Sequence, residues 1–75
     1  MKACILVKTG PGKHNDVAKA VSKIAGVKLA FPVLGRTDVV ASVEVANTAE
    51  LKKLVFEIGA LGGVVASETL IALEV

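Results

Sequence analysis

The sequence predicts an α+β domain in which four strands and two helices follow the order βαββαβ. Four runs rich in β-branched residues alternate with two segments in which apolar residues recur at helical spacing. Breaks containing glycine or asparagine separate these segments at regular intervals. Since the chain has 75 residues, we expect one domain covering residues 1–75.

The first strand and the first helix precede Gly26. Residues 2–9 are rich in β-forming residues and run into a Gly-Pro-Gly break, which predicts a strand. Residues 13–25 place apolar side chains every three or four positions with lysines between them, which predicts an amphipathic helix. His14 or Asn15 is the expected N-terminal cap, and Gly26 fits the position after the helix, where a positive φ is often required.

The next two strands form a predicted hairpin. Residues 27–34 predict the second strand, and because Pro32 cannot donate a hydrogen bond to a neighbour, this strand should lie at an edge of the sheet. A turn follows at residues 35–38, and residues 38–46 predict the third strand.

The second helix and the last strand complete the order. Asn47 followed by Glu50 resembles a capping box, and the apolar stripe after it predicts a helix that ends at the glycine pair 62–63. Residues 64–75 predict the last strand. Right-handed crossovers then give a ferredoxin-like antiparallel sheet with strand order 4-1-3-2 and both helices on one face.

The second face of this sheet is expected to mediate self-association. The residues predicted to face the helices are Ile5, Val7, Val43 and Val45. The opposite face should be polar if it were solvated, but it is mostly small and apolar. Its predicted members are Cys4, Leu6, Ala30, Val40, Ser42, Leu70 and Ala72. Such faces usually pack on another sheet, so we expect a homodimer with its sheets face to face, a dimeric α+β barrel.

Composition narrows the functional classes. The net charge of +2 is spread along the chain rather than clustered, so specific DNA binding is not expected. Cys4 and His14 are too few to close a zinc site, and we expect no metal, no other cofactor and no enzyme activity. The lone cysteine and the lack of an evident signal peptide or apolar span favour a cytoplasmic protein without membrane contact.

The most distinctive motif is the turn Gly35-Arg36-Thr37-Asp38. Gly35 permits a tight turn with exposed backbone groups, and Asp38 places a carboxylate at the start of a buried strand. This carboxylate can either bind a cationic or N–H group of a ligand, or hold the turn by hydrogen bonding to backbone N–H groups.

Together with its surroundings, this motif resembles a known family. The shared features are Val27 after the first helix, the run 35–39, Leu51 with Leu54, Gly63-Val64, and the run Glu68-Thr69-Leu70-Ile71. In this order, they resemble the RAM domain, the C-terminal amino-acid-sensing domain of the Lrp/AsnC transcriptional regulators. The family's N-terminal helix-turn-helix precedes this domain, and the present chain begins at the first strand, so the resemblance implies a stand-alone sensing module.

The resemblance also implies partners and a binding site. The family assembles from dimers, with eight or ten chains the expected sizes, and holds an amino-acid effector between subunits; full-length Lrp/AsnC-type regulators are the expected protein partners. The effector-binding positions that it implies here are Gly35, Arg36, Thr37, Asp38, Thr48, Thr69, Leu70 and Ile71. An aromatic residue often follows the family's aspartate, whereas Val39 follows it here, which leaves the preferred effector side chain open.

Two other functions are compatible with the same order of elements. A small enzyme of the dimeric α+β barrel type would need an acid or base in the cleft, and the lone His14 with no Tyr or Trp argues against it. An ACT-type regulatory domain also binds amino acids between subunits and has a key glycine after its first strand, a position that Gly10 or Gly12 could fill.

Overall fold

The computed structural model describes residues 1–73 and contains the predicted order of elements. The elements are β1 (Lys2–Thr9), α1 (His14–Ser22), β2 (Val27–Pro32), β3 (Val39–Glu44), α2 (Thr48–Gly59) and β4 (Val64–Ile71). The strands form one antiparallel sheet in the order β2-β3-β1-β4, which confirms the predicted topology and the edge position of the strand with Pro32. The last predicted strand was longer than β4, and its residues 74–75 lie outside the described part of the chain.

The hydrophobic core lies between the sheet and the two helices. Alternate residues of β1 and β3 point into it because side chains of a strand alternate between faces, and both strands are central. Helix residues at three- and four-residue spacing close it from the other side. Its fully buried side chains are Ile5, Val7, Val17, Val21, Val39, Val43 and Ile58. Three of the predicted helix-facing residues are therefore in the core, and the fourth, Val45, packs against it half-buried.

Helix α1 is shorter than predicted and begins differently. It starts at His14, its N-cap residue is Lys13, and no side chain caps it, so the predicted cap at His14 or Asn15 is wrong. The reason lies in the preceding turn: the Lys13 N–H donates to the Gly10 carbonyl (3.1 Å), and Lys13 already has near-helical backbone angles. The chain passes directly from turn to helix, whereas a side-chain cap requires an extended backbone at the N-cap.

Gly26 lies in the turn after α1, where Leu54 of α2 packs closely against the backbone. Its φ is +97°, so the predicted positive φ is confirmed. Helix α1 ends at Ser22 with Lys23 as its C-cap, however, so Gly26 lies in the turn before β2 and not directly after the helix as predicted. A Cβ at this position would lie 2.9 Å from Leu54 Cδ1 and 3.2 Å from Val45 Cγ1. Glycine is therefore required here both for its backbone angle and for the close approach of α2.

Helix α2 begins with the predicted capping box. The Glu50 N–H donates to Asn47 Oδ1 (3.0 Å), and Glu50 Oε2 accepts from the Ala46 N–H (3.2 Å). The return bond goes to the residue before the cap rather than to the cap itself, but both exposed N–H groups are satisfied.

Strand β2 contains a β-bulge, which reverses the sheet face to which its later side chains point. Val27 pairs with Val43, but Leu29 pairs with Ser42, so the register shifts between these two pairs. An extra residue in one strand reverses which side chains point to each face beyond it. Ala30 consequently lies opposite the buried Ala41 and packs on the core, and the prediction that placed it on the open face is wrong.

Candidate functional site

The Gly35–Asp38 turn is tied to the central strand β1. The Val33 N–H donates to the Asp38 carbonyl, and the Asp38 N–H donates to the Val7 carbonyl, both at 2.9 Å. These bonds continue the sheet past the end of β3 and hold the turn, hereafter the hairpin loop (residues 35–38), over the Thr9 end of β1. The rigid sheet thus fixes the position of a loop whose Gly35 and Arg36 are exposed.

The side chain of Asp38 also connects the hairpin loop to β1. Asp38 Oδ2 accepts the backbone N–H of Thr9 at 2.8 Å, and Thr9 is buried. An N–H donating to a carboxylate is stronger than a bond between neutral groups. The acceptor lies in the hairpin loop and the donor lies on β1, so this bond fixes the loop to β1 rather than closing a turn within the loop.

Two surface depressions flank the hairpin loop on opposite sides. The larger, hereafter the sheet-face groove, has a volume of about 560 Å³ and lies on the open face of the sheet. It is lined by Leu6, Lys8, Arg36, Thr37, Ala66, Ser67 and Glu68. The smaller has a volume of about 300 Å³ and is lined by His14, Asn15, Pro32, Val33, Leu34 and Asp38. Arg36 and Thr37 therefore border one depression, and Asp38 borders the other.

Charged side chains distinguish the sheet-face groove. Lys8 Nζ donates to the Arg36 carbonyl at 3.5 Å, which places the ammonium group at the rim formed by the hairpin loop. Glu68 stands across the groove on β4, opposite Leu6 of β1. Leu6 and Ala66 provide an apolar floor between these charges, so the groove combines polar rim and apolar surface, as small-molecule sites do.

The other predicted binding positions lie apart from the hairpin loop within one chain. Thr69, Leu70 and Ile71 pair with Ile5, Cys4 and Ala3, farther along β1 than the groove. Thr48 begins α2, after the end of β3 that is remote from the loop. A single chain brings together Arg36 and Thr37 but leaves Thr48 at the opposite end of the sheet.

Sequence reasoning did not identify Lys8 and Glu68 as site residues. Both are charged residues within strands that are otherwise mostly apolar or small, which is a signal visible in the sequence. Their position beside the same groove depends on the register of β1 with β4, and this register shifts at Lys8 and Thr9. A bulge of this kind is not evident from residue types, so the pairing could not be derived.

Residues 1–73 contain neither a candidate metal site nor a candidate membrane-spanning helix. These residues contain no group of three or more His, Cys, Asp and Glu side chains placed to hold a metal ion. None of the helices in this part of the chain has the length and apolar character needed to cross a membrane.

Comparison with known proteins identifies the family. The model of the Lrp/AsnC ligand binding domain matches residues 2–75. The chain belongs to the Lrp/AsnC family. This match confirms the predicted resemblance and favours it over an ACT-type domain.

The relatives of this Lrp/AsnC domain are transcription regulators. It is 32% identical over 74 residues to the HTH-type transcriptional regulator FL11 of Pyrococcus horikoshii, and this match covers 99% of the chain and 49% of that regulator. It is 29% identical over 76 residues to the HTH-type transcriptional regulator LysM of Sulfurisphaera tokodaii, and this match covers 100% of the chain and 54% of that regulator. The chain thus spans about half the length of the regulators that it matches.

Solved structures give the same fold. TTHA0845 from Thermus thermophilus superimposes with a TM-score of 0.93 at 28% identity, covering 99% of this chain and 94% of that one. AsnC of E. coli superimposes with a TM-score of 0.89, covering 97% of this chain and 50% of that one, at 16% identity. The second similarity extends the shared fold to a protein of distant sequence.

Proposed function

We propose that this Lrp/AsnC domain binds an amino-acid effector beside the hairpin loop and regulates transcription through full-length regulators of its family. The observation that carries the proposal is the sheet-face groove, which borders Arg36 and Thr37 of the predicted site. Its volume of about 560 Å³ falls within the range of small-molecule sites, about 300–1,000 Å³. In this proposal the domain binds and releases its effector and carries out no reaction.

The hairpin residues would have different roles. Arg36 and Thr37 would contact the effector from the rim of the groove. Asp38 would hold the loop in place through its bond to the Thr9 N–H, and Gly35 would leave the backbone at the tip accessible. Because no side chain lies within 4 Å of the position of a Gly35 Cβ, the tip has room for an approaching partner.

The remaining predicted positions would act from neighbouring chains. Thr48 and the run 69–71 lie away from the hairpin loop in one chain. We expect the site to form where chains meet, with these residues contributed by another subunit.

The open face of the sheet supports such an assembly. Leu29, Phe31 and Leu70 are 58%, 41% and 47% exposed on it, and Cys4, Leu6 and Val40 between them are half-buried. An apolar patch on the face of a short domain is stabilised by covering it with a second copy. The proposal therefore includes a dimer formed through this face, and dimers assembled to eight or ten chains.

The two phenylalanines of the chain provide a matched test of the dimer. Phe31 lies on the open sheet face, whereas Phe56 lies on α2 with Lys52 Nζ 5.6 Å from its ring centroid. Phe31→Lys should reduce the mass measured by light scattering towards that of one chain, and Phe56→Lys should leave it unchanged. A parent protein that is monomeric at micromolar concentration, or equal masses for both variants and the parent, contradicts the proposed dimer.

Effector binding is tested by thermal denaturation with each of the twenty amino acids. A ligand that binds only the folded protein raises the melting temperature, by an amount that grows with ligand concentration. We expect at least one amino acid to do so, and Arg36→Ala to reduce its effect. If none of the twenty changes the melting temperature, the proposed function is wrong.

A further inference from the structure

The open face of the sheet, which the proposed dimer covers, carries charged side chains as well as apolar ones. Lys2 and Glu44 are direct cross-strand neighbours of opposite sign at the end of this face remote from the hairpin loop. Lys8 and Glu68 lie nearer the loop, and the residue directly opposite Glu68 on β1 is Leu6. In a single chain the residue opposite Glu44 is thus a cation, whereas the residue opposite Glu68 is apolar.

Lys8 lies on the same face as Glu68 but is directed away from it. The register places Lys8 opposite Ala66 and Glu68 opposite Leu6, so the two are diagonal neighbours at about 7–8 Å between backbones. Lys8 Nζ donates to the Arg36 carbonyl at 3.5 Å, which directs the ammonium towards the hairpin loop. The loop lies beyond Lys8, on the side away from Leu6 and Glu68.

Covering this face changes what the Glu68 carboxylate requires. Packed sheets lie about 10 Å apart, so a second sheet displaces the water around a carboxylate between them. A charge that loses its water must be paired, because a buried charge without a partner is strongly destabilising. In a two-fold dimer, residue i of one chain contacts residue j of its copy, and j contacts i. Lys8 and Glu68 have opposite signs on one face, so they can pair twice across the interface.

We infer that Glu68 of each chain forms an ion pair with Lys8 of the partner subunit across the sheet-face dimer, and that this pair selects which chains associate. The inference rests on the dimer included in the proposed function, and it adds the residues that determine the partner. Buried ion pairs contribute little net stability, but like charges at the same positions repel strongly. The interface therefore accepts a second copy of this chain, or a family member with the same two charges, and rejects a chain with like charges there.

The pair also assigns separate roles to the residues of the sheet-face groove. Lys8 and Glu68 line this groove together with Arg36 and Thr37. With Lys8 and Glu68 engaged by the partner subunit, the groove is closed on one side by the second chain. Arg36 and Thr37 then remain to contact the effector, as in the proposed function.

Charge reversal tests the pair in the full chain. Glu68→Lys and Lys8→Glu each replace two attractive contacts of the dimer with two repulsive ones. We expect the dimer dissociation constant of either variant, measured by analytical ultracentrifugation, to rise by about a hundredfold. The reciprocal reversal in one chain, Glu68→Lys with Lys8→Glu, should restore the dimer.

Mixing the two single variants shows whether the pair crosses the interface. Only a dimer with one chain of each kind places opposite charges together at both contacts. Native mass spectrometry, with one variant isotopically labelled, should therefore show mixed dimers in large excess over random association. Asp16→Lys and Lys19→Glu are the matched control, because both reverse exposed charges of α1, away from the sheet face. Neither should weaken the dimer, and their mixture should associate at random.

The outcomes separate this inference from the proposed function. If charge reversal leaves the dissociation constant unchanged, the inference is overturned and the proposed dimer and effector site stand. The same holds if the double variant recovers but the mixture does not, because the pair then lies within one chain. A parent protein that is monomeric at micromolar concentration overturns the inference and the proposed dimer together. An excess of mixed dimers supports the inference whether or not an amino acid changes the melting temperature, so the two can fail separately.

Discussion

Replacing Asp38 with alanine removes the acceptor of the Thr9 backbone N–H, which lies on a buried residue. Hydrogen bonds to charged groups contribute about 1.5–3 kcal/mol, and a buried N–H left without a partner costs about 1–3 kcal/mol. Because this carboxylate is only partly buried, we take the lower part of the range and expect a loss of about 1.5–2 kcal/mol in the free energy of unfolding. For a domain of this size, that corresponds to a melting temperature lower by about 6–16 °C.

Asp38→Asn and a distant control separate the hydrogen bond from the charge. Asparagine retains an oxygen acceptor, so its cost should be below about 1 kcal/mol. Glu57→Ala removes an exposed carboxylate from α2 and should change stability by less than about 0.5 kcal/mol. Urea unfolding at several protein concentrations measures all three while accounting for self-association. If Asp38→Ala unfolds at the same free energy as Glu57→Ala, the bond does not hold the loop.

Three further predictions concern the helices and the surface charge. Gly26→Ala should lower the free energy of unfolding by more than about 2 kcal/mol, because it combines a strained φ with a close contact on Leu54. Gly12→Ala is the control: its φ is +73° but the space around it is open, so it should cost about 1 kcal/mol. Chemical denaturation measures both free energies. Asn47→Ala should cost about 1 kcal/mol by removing the acceptor of the Glu50 N–H, and helical circular dichroism should report weaker α2 at elevated temperature. Residues 1–75 should form no sequence-specific complex with DNA at physiological salt; a discrete band in a mobility-shift experiment that resists competitor DNA would contradict this.

Features set by single residue types could be predicted from the sequence. Pro32 lacks an N–H, which restricts its strand to an edge of the sheet, and the structure places β2 there. Asn47 and Glu50 have the spacing and side-chain acceptors of a capping box, and each side chain accepts a backbone N–H at the start of α2, although the return bond comes from Ala46 rather than from Asn47. In each case the chemistry of one or two residues restricts the local structure, and that local structure is the one found in the fold.

Features set by the pairing of strands could not be predicted. The bulge between Val27 and Leu29 depends on how β2 lies against β3, and it moves Ala30 from the open face to the core. The groove beside the hairpin loop depends in the same way on the register that brings Glu68 towards Lys8. Both features depend on contacts between residues far apart in sequence, so they cannot be predicted from the pattern of neighbouring residues.

The central position of β1 determines when the chain can fold. This strand is synthesised before the other three, yet one of its two neighbours is the last strand, β4, and Ala3 pairs with Ile71. Closing so long a loop before its contacts form makes folding slow, so we expect refolding in the millisecond-to-second range in stopped-flow experiments. During translation β1 would keep one unpaired edge until β4 has left the ribosome, and an incomplete chain would expose that edge to other nascent chains.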